Sequence, residues 1–207
     1  MNHKVNSVAD LYTSSVDLYN KVVVGTNDTS AASIERNLRE GIEALKNSWQ
    51  GMDAGTQINN VVTVYNAIAM IKNLLAGLTV RTSKIASDYR SIQRANGANN
   101  LEELMVLREE DPDTKMGEYS DTRDTVNITQ DAVNGKNKID AAVAGMDGFL
   151  TEVKKYFDDI MGNWTMGPRR EEAQQAFDEF IAKAPTYKNL LTEVSQSIAT
   201  ALQNYGM

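Results

Sequence analysis

Two tryptophans, Trp49 and Trp164, constrain this 207-residue chain more than any other feature: each closes an apolar helical stripe and is followed within three residues by glycine. Ile34, Leu38, Ile42 and Leu45 stand 15, 11, 7 and 4 positions before Trp49, and Phe149, Val153, Phe157 and Ile160 stand at the same four offsets before Trp164. Steps of four, four and three trace one face of a half-buried helix. Downstream, Leu74, Leu75, Leu78 and Tyr89 are matched by Leu190, Leu191, Val194 and Tyr205, displaced by the one extra residue in Trp164-Thr165-Met166-Gly167 relative to Trp49-Gln50-Gly51. Aliphatic stripes align easily by chance. The only 2 tryptophans of the chain do not, and the pattern reads as a duplicated helix-turn-helix unit.

In the first unit, Val5, Val8, Tyr12, Val16, Tyr19 and Val23 form a stripe that Gly25-Thr26-Asn27 interrupts, and Asp28, Thr29 and Ser30 offer an N-cap for the stripe that leads to Trp49. Residues 4–48 thus read as one broken helix or two collinear ones. From Ile58 to Tyr89 the apolar residues hold helical spacing, so residues 54–93 form a rod about 60 Å long at ~1.5 Å per residue. A rod of that length needs a partner along it. Ala95-Asn96-Gly97-Ala98-Asn99-Asn100 is turn chemistry, and Glu109-Glu110-Asp111-Pro112-Asp113 is an acidic stop. The expected organisation is a first hairpin over 1–95, an acidic linker over 96–120 with a short helix at Leu101–Leu107, and a second hairpin over 121–207.

With only 3 prolines, 42% hydrophobic and 24% charged residues, the composition suits long helices. The expected fold is all-α: two long hairpins packed as an elongated antiparallel four-helix bundle, monomeric because each hairpin covers the other's stripe. A net charge of −7 provides no basic face for nucleic acid. It divides as +2 over 1–95, −5 over 96–120 and −4 over 121–207, which favours packing of the outer halves on each other. No cysteine is present, and the single histidine, His3, lies in what reads as a frayed terminus and receives no role. Neither a di-iron site nor another metal or cofactor site is expected. Asp158-Asp159 and Glu102-Glu103 are adjacent in sequence and point to different sides of a helix, and no glycine-rich phosphate loop occurs. The chain therefore reads as non-enzymatic. Its opening residues lack the basic and apolar regions of an export signal. The run Val61–Leu78 is interrupted by Thr63, Asn66, Lys72 and Asn73, short of a lipid-spanning stretch, so the protein is expected to be soluble.

At each corner, glycine supplies the restricted conformation that lets the chain reverse, and the indole covers the end of the apolar seam. Pro168 fits the first helical position after the second corner, with Glu171 and Glu172 suited to the helix dipole. With Trp49-Gln50-Gly51 at mid-hairpin, the first half resembles the WXG-hundred (ESAT-six-like) superfamily, and the second half resembles it with a one-residue variant of the corner. The resemblance spans roughly 1–95 and 121–207. It implies a family dimer fused in one polypeptide, with Trp49, Gly51, Trp164 and Gly167 as the corner and interaction motif. It further implies export without a cleaved signal through the type VII (ESX) machinery, to the medium or cell surface. The implied partners are the secretion ATPase or other type VII components, and a second helical partner or toxin. One departure concerns the Tyr-x-x-x-Asp/Glu pattern of exported pairs: Tyr89 is followed four places on by Gln93, and Tyr205 by Gly206 and Met207, so the signal is expected to come from a partner. Two other readings remain: a cytoplasmic adaptor for the helical targeting domain of a larger LXG-type toxin, and a membrane-active bundle that opens to expose its apolar faces.

Overall fold

The computed structural model describes residues 3–98, 100–108, 111–121, 123 and 126–206. The chain is all-α, with helices packed on one another. In chain order the elements are β1 (Lys4–Val5), α1 (Val8–Asp17), a π-helical continuation (Leu18–Val23), α2 (Ala31–Ser48), β2 (Trp49–Gln50) and α3 (Met52–Ala95). The second half contains β3 (Asn127–Ile128), α4 (Ala132–Asn163), β4 (Trp164–Met166) and α5 (Arg170–Asn204). Both α1 and α2 pack on α3 and α4, and α5 packs on the other side of the same two helices.

Local chemistry sets the boundaries. Ser7 caps α1 by accepting from the Asp10 amide, and Ser30 caps α2 by accepting from Ser33 while donating to the Gly25 carbonyl at 2.6 Å, which closes the interruption at Gly25-Thr26-Asn27. α3 folds back along α2 and then α1: Arg39 meets Tyr65, Ser15 Oγ meets Thr82 Oγ1 at 2.7 Å, and the Tyr89 hydroxyl donates to the His3 carbonyl.

All eight stripe residues before the two tryptophans are 0% exposed. Their aromatic members lock α4 to α5, Phe157 stacking on Phe177 at 3.8 Å and Phe149 meeting Phe180 edge-on at 6.1 Å. The stripe expected in α1 and its continuation is corrected in part. Val23 is buried as expected, but Leu11, Ser14, Ser15, Leu18 and Val22 are buried beside it, whereas Val5, Val8, Tyr12, Val16 and Tyr19 are only half-buried, because α1 is squeezed between α3 and α4 and Ser15 is satisfied there by hydrogen bonds. Where α4 crosses the loop before α2, a Cβ at Gly145 would collide with the Asp28 carbonyl oxygen, so only glycine permits that approach.

Two further expectations are overturned. Residues 101–107 form no helix; they belong to an extended strap laid along α3. Leu101, Leu104, Leu107, Asp113, Met116 and Tyr119 are half-buried, and every described residue between them from 102 to 120 is exposed, a period of three. That is the repeat of an extended polyproline-II-like chain. Nor do the interruptions in Val61–Leu78 keep α3 below spanning length and hydropathy. Among the described residues it is the one helix long and apolar enough to cross a membrane, and 61% of its apolar window is buried inside this fold, as befits a core helix.

Candidate functional site: two tryptophan corners and a strapped helix

At the first corner, α2 ends when Trp49 turns extended while its amide still donates to Leu45. Gly51 comes next but one at φ 114°, a left-handed conformation that a side chain would oppose. Trp49–Gln50 pairs antiparallel with Asn127–Ile128, opposing Trp49 to Ile128, and the Thr129 amide donates to the Ser48 carbonyl at 2.9 Å. The second corner is built from the same parts. Trp164 leaves α4, its strand pairs antiparallel with Lys4–Val5, Trp164 opposes Val5, and the Asn6 amide donates to the Asn163 carbonyl at 2.9 Å. Each corner thus pairs with the segment that leads into the other half of the molecule. The far helix ends match as well: the Tyr89 hydroxyl donates to the carbonyl of His3, and the Tyr205 hydroxyl donates to that of Val126 at 2.9 Å.

Both indoles are buried, Trp49 at 3% and Trp164 at 0% exposure. Their polar edges differ. The Trp164 indole N–H donates to His3 Nδ1 at 3.3 Å, whereas the position matching His3 in the other half is Val126, and the buried Trp49 N–H has no hydrogen-bond partner among the described residues. His3 is therefore not a frayed residue; its ring and its carbonyl are both engaged at the second corner. Gly167 is required there, since a Cβ would collide with His3 Nδ1 and the Trp164 indole nitrogen. The expected role of Pro168 is also corrected. α5 begins at Arg170 with Arg169 before it in the left-handed region (φ 65°), so Pro168 sits in the turn, while the Arg170 guanidinium donates to the Trp164 and Met161 carbonyls and closes the end of α4. Glu171 and Glu172 do lie in the first turn of α5. Between α3 and α5 each indole lines a groove, of about 750 Å³ beside Trp49, Gln57 and Thr200 and about 430 Å³ beside Trp164, Leu78 and Ala173. Among the described residues no group of three His, Asp or Glu side chains is placed to hold a metal ion.

The strap is held by a device that the sequence pattern did not reveal. Asn59, Asn66 and Asn73 lie seven residues apart on α3, and each binds the backbone of one strap residue twice. Asn59 donates to the Tyr119 carbonyl and accepts from the Tyr119 amide, both at 2.8 Å; Asn66 does the same with Met116 at 3.0 and 2.8 Å, and Asn73 with Asp113 at 3.2 and 3.0 Å. Seven helical residues advance about 10.5 Å, and three polyproline-II residues about 9.3 Å, so the two ladders stay in step. Farther along, Ser83 accepts from the Leu107 amide and Ser87 donates to the Leu104 carbonyl. The signals were present as the seven-residue spacing of the asparagines and the three-residue spacing of Leu101, Leu104, Leu107, Met116 and Tyr119.

Charge fixes both ends of this stretch. Lys72 bridges the buried Glu35, which also accepts from Arg39 and Tyr65, to Asp113 at 2.8 Å. At the other end Asp121 accepts the Gly51 amide at 2.9 Å and is gripped by both nitrogens of the Arg123 fork. The Arg123 hydrogen bonds first, and the Gly51 amide second, hold the Asp121 carboxyl well below the usual carboxylate range. A depressed folded value means that the stability from this contact is present above the unfolded value of about 3.9 and is lost as pH falls through the lower folded value. In a carbon-detected NMR titration Asp121 should therefore stay ionised through pH 4, and Arg123→Ala should move its midpoint up toward about 3.9. An unshifted midpoint in the variant would remove Arg123 from the account.

Comparison with known proteins adds no relative: no family model, no curated protein and no solved structure matches the chain.

Proposed function

We propose that this chain is a non-enzymatic helical protein of a type VII (ESX) secretion system, a secreted effector or secretion partner that acts by helix-helix contacts. Its two halves are two hairpins, 1–95 and 121–207, packed as an elongated antiparallel four-helix bundle: a pair of WXG-like units in one polypeptide. The observation that carries this reading is the reciprocity of the corners. Trp49 opposes Ile128 and Trp164 opposes Val5, with matching amide bonds to Ser48 and Asn163 and matching tyrosine bonds to the carbonyls of His3 and Val126. Three kinds of contact repeated about a pseudo-twofold axis are what an isologous dimer interface becomes when its protomers are joined. Burial of both indoles gives the tryptophans a part in assembling the two units, leaving the outer helix faces for partners.

Export then proceeds without a cleaved signal and depends on the secretion ATPase. Tyr89 is followed by Gln93 rather than an acidic residue four places on, and its hydroxyl is engaged by His3, so a helical partner supplies the tyrosine-acid pattern. Culture fractionation tests this: the intact protein should reach the medium only when the ATPase and the co-expressed partner are both present. Confinement to the cytosol of a strain that exports its other type VII substrates would sink the secreted reading and leave the adaptor for an LXG-type toxin.

A further inference from the structure

We infer that the Asn59–Asn66–Asn73 face of α3 is a binding site for an extended acidic peptide segment of another polypeptide, and that the strap over 111–121 occupies it in cis. The inference goes beyond the secretion reading and does not depend on it.

The asparagine contacts are those of a peptide-reading surface. Each side-chain amide satisfies both the N–H and the C=O of a single residue, so three asparagines pair six backbone groups of an extended chain. Any chain that adopts a three-residue repeat can present those groups, and polyproline II is a major conformation of unfolded segments. Selectivity comes from the flanks. Lys72, backed by Glu35, takes an acid at the Asp113 position. The Met116 and Tyr119 side chains pack partly into the core, Lys46 lying 5.6 Å from the Tyr119 ring centre, and the Gly51 amide takes a second acid at the Asp121 position. Overall charge agrees: α3 carries five Lys/Arg and two Asp/Glu (+3), whereas 96–120 carries two and seven (−5).

The strap is also free to leave. Thirty-six residues, 96–131, connect the end of α3 to the start of α4. Fully extended they reach about 119 Å at ~3.3 Å per residue, against about 66 Å for the whole of α3. The connection has slack, and what keeps it on the helix is the side-chain ladder rather than chain tension. A segment in trans competes with a tethered occupant whose effective concentration is on the order of millimolar, so an intact strap weakens the site without abolishing it.

The probe is a fluorescent synthetic peptide of residues 111–123, titrated against the full wild-type chain and against the triple variant Asp113→Pro, Met116→Pro, Tyr119→Pro. Proline keeps the extended conformation but has no N–H to give, so the strap loses half of its ladder. The variant should bind the peptide saturably and at least tenfold more tightly than wild type. Asn66→Ala in that background should cost at least tenfold, and a peptide N-methylated at the Asp113, Met116 and Tyr119 amides should not bind. A second arm needs no variant: excess peptide should accelerate hydrogen exchange at the Asp113, Met116 and Tyr119 amides of the wild-type chain. The inference is overturned by absence of saturable binding to a triple variant of native helicity, or by binding that Asn66→Ala leaves unchanged. It is also overturned if exchange in the second arm is unaffected by peptide. Concentration-dependent dimerisation of the triple variant that the peptide does not reverse would assign the face to a second copy of this chain instead.

Discussion

Trp164→Ala should lower the unfolding free energy by about 3–5 kcal/mol, the range for removing a large aromatic side chain from a core. The indole is 0% exposed, donates to His3, and stands where the β1–β4 pair, the end of α4 and the start of α5 converge. No neighbouring side chain can fill so large a void from a strand held by backbone bonds. The phenylalanine variants separate the two corners. Trp164→Phe loses the His3 hydrogen bond, at a cost of about 1 kcal/mol. Trp49→Phe removes an indole N–H that has no partner among the described residues, so its loss should be smaller than that of Trp164→Phe. Denaturant melts read all three. A change below ~0.5 kcal/mol for Trp164→Ala, the usual surface value, would move that tryptophan from assembly to recognition.

Glu35→Ala should cost about 3 kcal/mol, the low end for breaking a buried ion pair, because Lys72 keeps Asp113 as a partner. The Glu35 side chain is 5% exposed and gathers Arg39, Tyr65 and Lys72; Lys72 is itself 17% exposed and continues to Asp113 of the strap. Loss of the anion leaves the ammonium with Asp113 as its remaining partner and takes an acceptor from Arg39 and Tyr65. Adding Lys72→Met together with Asp113→Asn should recover much of the loss, because neither the apolar side chain nor the neutral amide needs a counter-charge. Burial pulls the Lys72 ammonium down, but its hydrogen bonds to Asp113 and Glu35 more than offset this and leave it above its ordinary value. A raised folded value keeps the contribution whole below the unfolded value of about 10.4, and it fades only as pH rises through the folded one. The difference between wild type and Glu35→Ala should accordingly be the same at pH 6 and pH 8. No rescue by the Lys72→Met, Asp113→Asn pair would show that the cost lies in packing rather than in unbalanced charge.

Helix class and the corners were legible because their signals are local. Ile34, Leu38, Ile42 and Leu45, like Phe149, Val153, Phe157 and Ile160, repeat at helical spacing before a tryptophan, and all are fully buried. The same reasoning failed for α1, whose buried Ser15 answers to Thr82 on α3, a contact no local period encodes. It failed at Leu101–Leu107 for a different reason. Leucines at steps of three read as part of a helix when only short windows are compared; carried on to Met116 and Tyr119 the step stays three, which no α-helix sustains on one face.

His3 and the asparagines mark the remaining gap. A histidine at the third position looks idle until Trp164, far along the chain, is brought against it, and Asn66 and Asn73 look like interruptions of an apolar run until a strap lies across them. The sequence by itself determined that the chain is helical and that its long helices turn at the two tryptophans, since propensity, capping and periodicity act over a few residues. Only the tertiary structure decided which surfaces meet: that each corner pairs with the segment leading into the other half, and that the acidic connection is pinned along α3. Those choices rest on hydrogen bonds between residues dozens of positions apart, whose partners are set by the folded geometry rather than by neighbours in the chain.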